Sequence, residues 1–162
     1  MKIEIAEQPI LFRLHGFASS VENHCYGEVG FRLMNQIWRI VKEGGLKSTG
    51  INHWVYLGDD SMFVGVQLLE GTQGCEALVP LHFELQRYLK HVHVGPYQAL
   101  PVKWKILKAA IAEKSETIGS HSLEIYGHPC DDESKLETTI LIGLGSATEN
   151  GSYGNSNPPT YR

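Results

Sequence analysis

The chain has 162 residues, 42% hydrophobic and 20% charged, with 14 basic against 18 acidic side chains and a formal net charge of −4. That length suits one compact domain, or two small halves sharing a core, and the composition excludes disorder over most of it. The acidic balance and the scattered lysines argue against a duplex-binding module, which needs a basic stripe for phosphates, and favour attraction of a cation.

The N-terminal run Met1-Lys2-Ile3-Glu4-Ile5-Ala6-Glu7 carries a carboxylate every few residues, so it lacks the apolar stretch of a secretory signal. No apolar run approaches the roughly 18 residues of a membrane span. Residues from about Pro9 to Ser19 read as a strand interrupted by Gly16. From Tyr26 to about Gly44, the residues Phe31, Met34, Trp38 and Val41 recur on one helical face, and Gly44-Gly45 is a natural stop. Asn52 to Leu57 predicts a strand, Gly58-Asp59-Asp60-Ser61 a turn, and Met62 to Leu69 the return strand.

The second half repeats that order. Phe83 to Val94 reads as a strand closed by Gly95-Pro96. Tyr97, Leu100, Trp104, Leu107 and Ile111 then mark a helix, with Pro101 tolerated only in its first turn. Ser122 to His128 predicts a strand, a polar loop follows with Pro129 and the acidic run Asp131-Asp132-Glu133, and Leu136 to Leu144 predicts the last strand. The local spelling recurs too: Trp54-Val55-Tyr56-Leu57-Gly58 beside Glu124-Ile125-Tyr126-Gly127. The expected architecture is α+β: an antiparallel sheet built from two strand-helix-strand-strand repeats, about 1–72 and 80–145, with pseudo-twofold symmetry. The helices would lie on one face and a ligand cleft at the seam between the repeats. Residues 146–162 are rich in Gly, Ser, Asn and Pro and read as a flexible tail. Cys25, Cys75 and Cys130 are widely spaced with no C-x-x-C pair, which fits a reduced, cytoplasmic compartment.

Glu124 lies in Leu123-Glu124-Ile125-Tyr126, a segment otherwise built for burial. Alternation puts Ser122, Glu124, Tyr126 and His128 on one face. If that face is inward, the carboxylate sits among rings without a neighbouring basic residue, and a bound cation would be its partner. The strand by itself favours the other reading, a solvated face with Glu124 an exposed strand residue. Trp54 and Tyr56, at positions equivalent to Glu124 and Tyr126, would complete an aromatic cage for a cation. Trp38 and Trp104 lie at core spacing and need no ligand to explain them. His91 and His93 share a strand face but find no third ligand at a recognisable spacing, so no metal site is expected. No G-x-S-x-G, Walker loop or G-x-G-x-x-G is present, and no cofactor is expected.

The string Tyr88-x-x-x-x-His93-Val94-Gly95-Pro96-Tyr97-x-x-Leu100-x-x-x-Trp104, then Leu123-Glu124-Ile125-Tyr126 and Glu137-Thr138-Thr139-Ile140, resembles the GyrI-like small-molecule-binding family. That family includes the effector-binding domains of AraC- and MerR-type transcription regulators. The resemblance covers roughly residues 1–145 and is stronger in the second repeat. Within the family, the sequence looks most like free-standing members carried on integron cassettes. The resemblance implies a pocket glutamate at Glu124, a second acidic position near the pocket mouth at Glu137, and aromatic contacts at Tyr126 and Tyr97. Pro101 and the polar tail depart from the family pattern. With the module starting at about Met1, direct DNA binding by this chain is not expected; the sequence leaves open whether a separate regulatory or DNA-binding protein reads the ligand.

The expectation is therefore a binding module for lipophilic, planar organic cations, with no catalytic residue, no membrane association and Glu124, Tyr126, Trp54, Tyr56, Tyr97 and Glu137 as ligand contacts. Two alternatives follow from the same resemblance. One is a hydrolase using the pocket glutamate on a small electrophile. The other is a gyrase-inhibitor-like interaction module presenting Asp131, Asp132 and Glu133.

Overall fold

A computed structural model of the chain describes residues 3–58, 60–73 and 75–145, so the tail expected over 146–162 lies outside the described residues. The elements in chain order are β1 (Glu4–Ala6), β2 (Ile10–Ser20), α1 (Tyr26–Glu43), β3 (Ser48–Gly58), β4 (Ser61–Leu68), β5 (Val79–Leu85), β6 (Tyr88–Val94), α2 (Leu100–Glu113), β7 (Ile118–Tyr126) and β8 (Glu137–Leu144). All strands join one antiparallel sheet in the order β1-β6-β8-β7-β3-β4-β2-β5. The two strand-helix-strand-strand runs, β2-α1-β3-β4 and β6-α2-β7-β8, meet where β3 pairs with β7. Pro101 falls in the first turn of α2, where its missing N–H costs nothing.

The single strand expected from Phe83 to Val94 is two strands, divided at Gln86-Arg87. Their placement bends the whole sheet. In a flat sheet β5 and β6 would lie roughly 30 Å apart at about 4.8 Å per strand, yet the link from Leu85 to Tyr88 reaches at most about 11 Å. The sheet therefore curls until its two ends meet at that turn. Phe83 of β5 accordingly stacks on His121 of β7, with centroids 4.8 Å apart, although three strands separate them in the ladder. This inner face is filled by Phe12, Leu14, Val55, Leu57, Phe63, Leu81, Leu85, Leu123 and Leu141.

Both helices lie on the opposite, outer face. The buried residues of α1 pack over Trp54, Met62, Val64 and Val66, while Leu100, Leu107 and Ile111 of α2 pack over Leu89, Ile140 and Ile142. Helix α1 sits one residue away from the expected rotation, burying Gly30, Leu33, Ile37 and Val41 instead of Phe31, Met34, Trp38 and Val41. The cause is Gly30, which lies directly against the Trp54 ring, so that a Cβ there would overlap the indole. With the helix seated on its glycine, Phe31 is left 54% exposed, and Met34 and Trp38 pack part-buried at the margin of that core.

Candidate ligand-binding pocket

Between α1 and α2 the outer face of β3 and β7 is left uncovered, and it floors a cavity of about 1020 Å³. That is at the upper end of what small-molecule sites enclose. The antiparallel register sets Trp54 opposite Glu124 and Tyr56 opposite Ser122. Because side chains alternate across a strand, Asn52, Trp54 and Tyr56 share the cavity face with Ser122, Glu124 and Tyr126. Leu123 and Ile125 point the other way, into the inner core.

Glu124 is 3% exposed. The hydroxyls of Tyr56 and Tyr126 both donate to its Oε1, the latter at 3.3 Å. Burial pushes its carboxyl above the usual carboxylate range, while the two hydroxyls, the Trp104 indole and His93 pull it partly back. The same burial, together with the Glu124 charge, raises Tyr56 and Tyr126 above the ordinary phenol value, so both remain protonated donors. Rings meet edge to face around the carboxylate. Tyr26 on Tyr56, Tyr97 on Tyr126 and Trp54 on Tyr126 each have centroids 5.3 Å apart, and Tyr56 on Trp104 5.6 Å. Edge-to-face contact holds the ring planes at fixed angles, as interacting quadrupoles prefer. The result is a desolvated carboxylate in an aromatic enclosure, able to receive a positive charge delocalised over apolar surface.

Of the residues expected at a site, Glu124, Tyr126, Trp54, Tyr56 and Tyr97 all line the cavity, Tyr97 at 37% exposure. Glu137 does not: its side chain is exposed and absent from the lining. The register explains this. Tyr126 pairs with Thr138 and Glu124 with Ile140, so Thr138 and Ile140 share the face of the cavity and Glu137 takes the other. Its backbone carbonyl accepts from the Gly127 N–H at 2.9 Å.

Several contributors escaped the sequence reading, Tyr26 and Met34 among them. Trp104, expected in the core, stands in the wall against Tyr56; Phe31 and Asn52 also line the cavity. Helical periodicity reports that a residue is covered, not whether a sheet or a cavity covers it. Tyr97 and Trp104, seven residues apart on one helical face, were the available signal. His91 and His93 are buried on the helix side of β6, and among the described residues no three His, Cys, Asp or Glu side chains converge as a metal site.

Neither a protein-family model nor a curated protein matches the chain by sequence. Solved structures do match. The structure of SAV2435 bound to tetraphenylphosphonium superposes with a TM-score of 0.65 at 14% identity, covering 94% of this chain and 99% of that one. The EcmrR C-terminal domain gives 0.66 at 15% identity, covering 91% and 100%. A hydrolase from Listeria innocua gives 0.54 at 12% identity, covering 89% and 92%. The chain thus has the fold of GyrI-like effector-binding domains. Among the described residues, no helix is long and apolar enough to cross a membrane.

Proposed function

We propose that the chain is a GyrI-like binding module that takes up lipophilic, planar organic cations between its two strand-helix-strand-strand units, with Glu124 as the counter-charge. The observation that carries this reading is the state of Glu124: nearly dry, ringed by aromatic side chains, and acted on by two tyrosine hydroxyls, an indole and His93, none of them a lysine or arginine. A buried carboxylate without a strong cationic partner is costly. An entering cation supplies that partner and regains the Coulomb energy that burial withheld.

Binding would combine three contributions. Apolar surface removed from water gives roughly 25 cal/mol per Å². Each ring face near the charge adds about 0.5–2 kcal/mol, more when both are dry. The carboxylate adds selectivity for positive charge while leaving shape loosely specified, which allows one cavity to accept several ligands. Tetraphenylphosphonium bound to SAV2435, a protein of the same fold, supports the choice of ligand class.

The test is a thermal-shift screen of matched cationic, neutral and anionic dyes, since a ligand that binds only the folded state raises its melting temperature. Stabilisation confined to cations is the expected result, and equal response to all three classes overturns the reading. The hydrolase of the same fold makes one control necessary: incubation with small esters and electrophiles. Turnover that disappears in Glu124→Gln would move the glutamate from counter-charge to general base.

A further inference from the structure

One cavity residue is oriented by a contact outside the cavity. The Trp38 indole N–H donates to Oδ1 of Asn52 at 2.6 Å, from a side chain that does not itself line the cavity. An indole N–H can only donate, so the bond fixes which end of the Asn52 amide is oxygen. The amide NH2 is thereby turned away from Trp38. Asn52 is half-buried and lines the cavity, and its nitrogen is not among the buried polar atoms lacking a partner.

The backbone around it is also set apart. The β3–β4 ladder is irregular between Ser48 and Asn52, with Gly50 at φ +81°, and the regular β3–β7 pairing begins only at His53. Such irregularities re-aim a side chain next to a site. Asn52 is the diagonal neighbour of Glu124, because Trp54 is its direct partner. Diagonal neighbours of this kind lie about 7–8 Å apart.

We infer that the Asn52 amide is a hydrogen-bond donor subsite of the cavity, selecting lipophilic cations that carry a neutral acceptor oxygen about one aromatic ring away from their positive centre. Trp38 is its positioning residue. The inference rests on the cavity being a cation site and adds a second, polar criterion to charge.

The experiment uses three probes on the full chain by calorimetry. Para-benzoylbenzyl-trimethylammonium places a ketone one phenylene from the ammonium. Para-benzylbenzyl-trimethylammonium replaces that ketone by a methylene. Tetraphenylphosphonium has no acceptor and reports the cation site alone. The wild type is expected to bind the ketone about 3- to 10-fold more tightly than the methylene analogue, the yield of one neutral hydrogen bond. Asn52→Ala should abolish that ratio, with tetraphenylphosphonium affinity measured alongside to separate loss of the hydrogen bond from a general change in the cavity. Trp38→Phe keeps the amide but frees it to rotate, and should reduce the ratio part-way; it also serves if the Asn52 variant folds poorly. Normal tetraphenylphosphonium binding with no ketone preference, or a preference that survives Asn52→Ala, overturns the subsite and leaves the cation site standing. Failure of all three probes on the wild type overturns the cation site, and the subsite with it.

Discussion

Trp54 and Glu124 face each other across the β3–β7 seam, an indole on one half of the chain directly opposite a carboxylate on the other. The pair explains why the seam is open above and rigid below. Trp54 is clamped by Gly30 beneath α1 and by the edge of Tyr126, so the floor beside the carboxylate does not collapse onto it.

On the proposed reading, charge selection depends on Glu124. Glu124→Gln keeps the size and the hydrogen-bonding capacity but removes the charge. A unit charge at about 4 Å in a partly screened site is worth up to about 4 kcal/mol, so tetraphenylphosphonium affinity should fall roughly 10- to 100-fold. Triphenylphosphine oxide, neutral and similar in shape, should be unaffected. Calorimetry with both ligands checks this, and an unchanged phosphonium affinity would remove Glu124 from the binding mechanism.

Affinity should also track pH in a defined direction. The free carboxyl titrates above its ordinary value of 4.5 because it is buried, and a bound cation pulls it down again. Cation affinity is therefore full at neutral pH and weakens as pH falls through the raised free-state value. Tyr56→Phe deletes a hydroxyl that holds this carboxyl down, so the midpoint of the loss should move to higher pH. A midpoint that stays put or drops contradicts the assigned role of Tyr56.

The same burial makes the empty site a liability for folding. A carboxyl raised in the folded state contributes stability fully present below its unfolded value and lost as pH rises through the folded value. Ligand-free Glu124→Gln should therefore melt higher than wild type at neutral pH, with the gap closing in acid. Saturating cation at about 100 times its Kd adds about 2.7 kcal/mol to the wild type and should narrow or reverse the order. Scanning calorimetry with and without tetraphenylphosphonium measures both. A variant less stable than wild type throughout would mean the carboxylate is a structural keystone.

Gly30 sets the seat of α1. Gly30→Ala drives a methyl into the Trp54 ring, and overpacking of that kind costs about 1–3 kcal/mol. Urea denaturation should record that loss. The displaced indole should also narrow the cavity, weakening bulky aryl cations more than small quaternary ammonium ions. Wild-type stability in this variant would show that the helix rides up at no cost.

Much of this arrangement is legible in the sequence, for identifiable reasons. Alternation at Leu123-Glu124-Ile125-Tyr126 sets Glu124 and Tyr126 on one face, and the matching spelling at Trp54 and Tyr56 marks the strand that pairs beside it. The β5–β6 break at Gln86-Arg87 is not legible, because neither residue is a glycine, proline, asparagine or aspartate and the alternation of Phe83, Leu85 and Leu89 keeps its phase across it. The rotation of α1 depends on a contact between Gly30 and a tryptophan 24 positions later, which no local period encodes. The position of Glu137 outside the cavity lining is not legible either, because the β7–β8 register decides its face and a one-residue difference in register exchanges the faces.

The curled sheet has a consequence for how the cavity accommodates guests of different outline. Its floor strands are packed from below by the inner core and stitched to neighbours on both sides, so they form an unyielding bench. Adaptation would fall to the rim, where Phe31, 54% exposed, and the supple thioether of Met34 can reshape around a guest without disturbing a strand. On the proposed reading, tolerance of several guests would belong to a few rim side chains mounted on a stiff chassis.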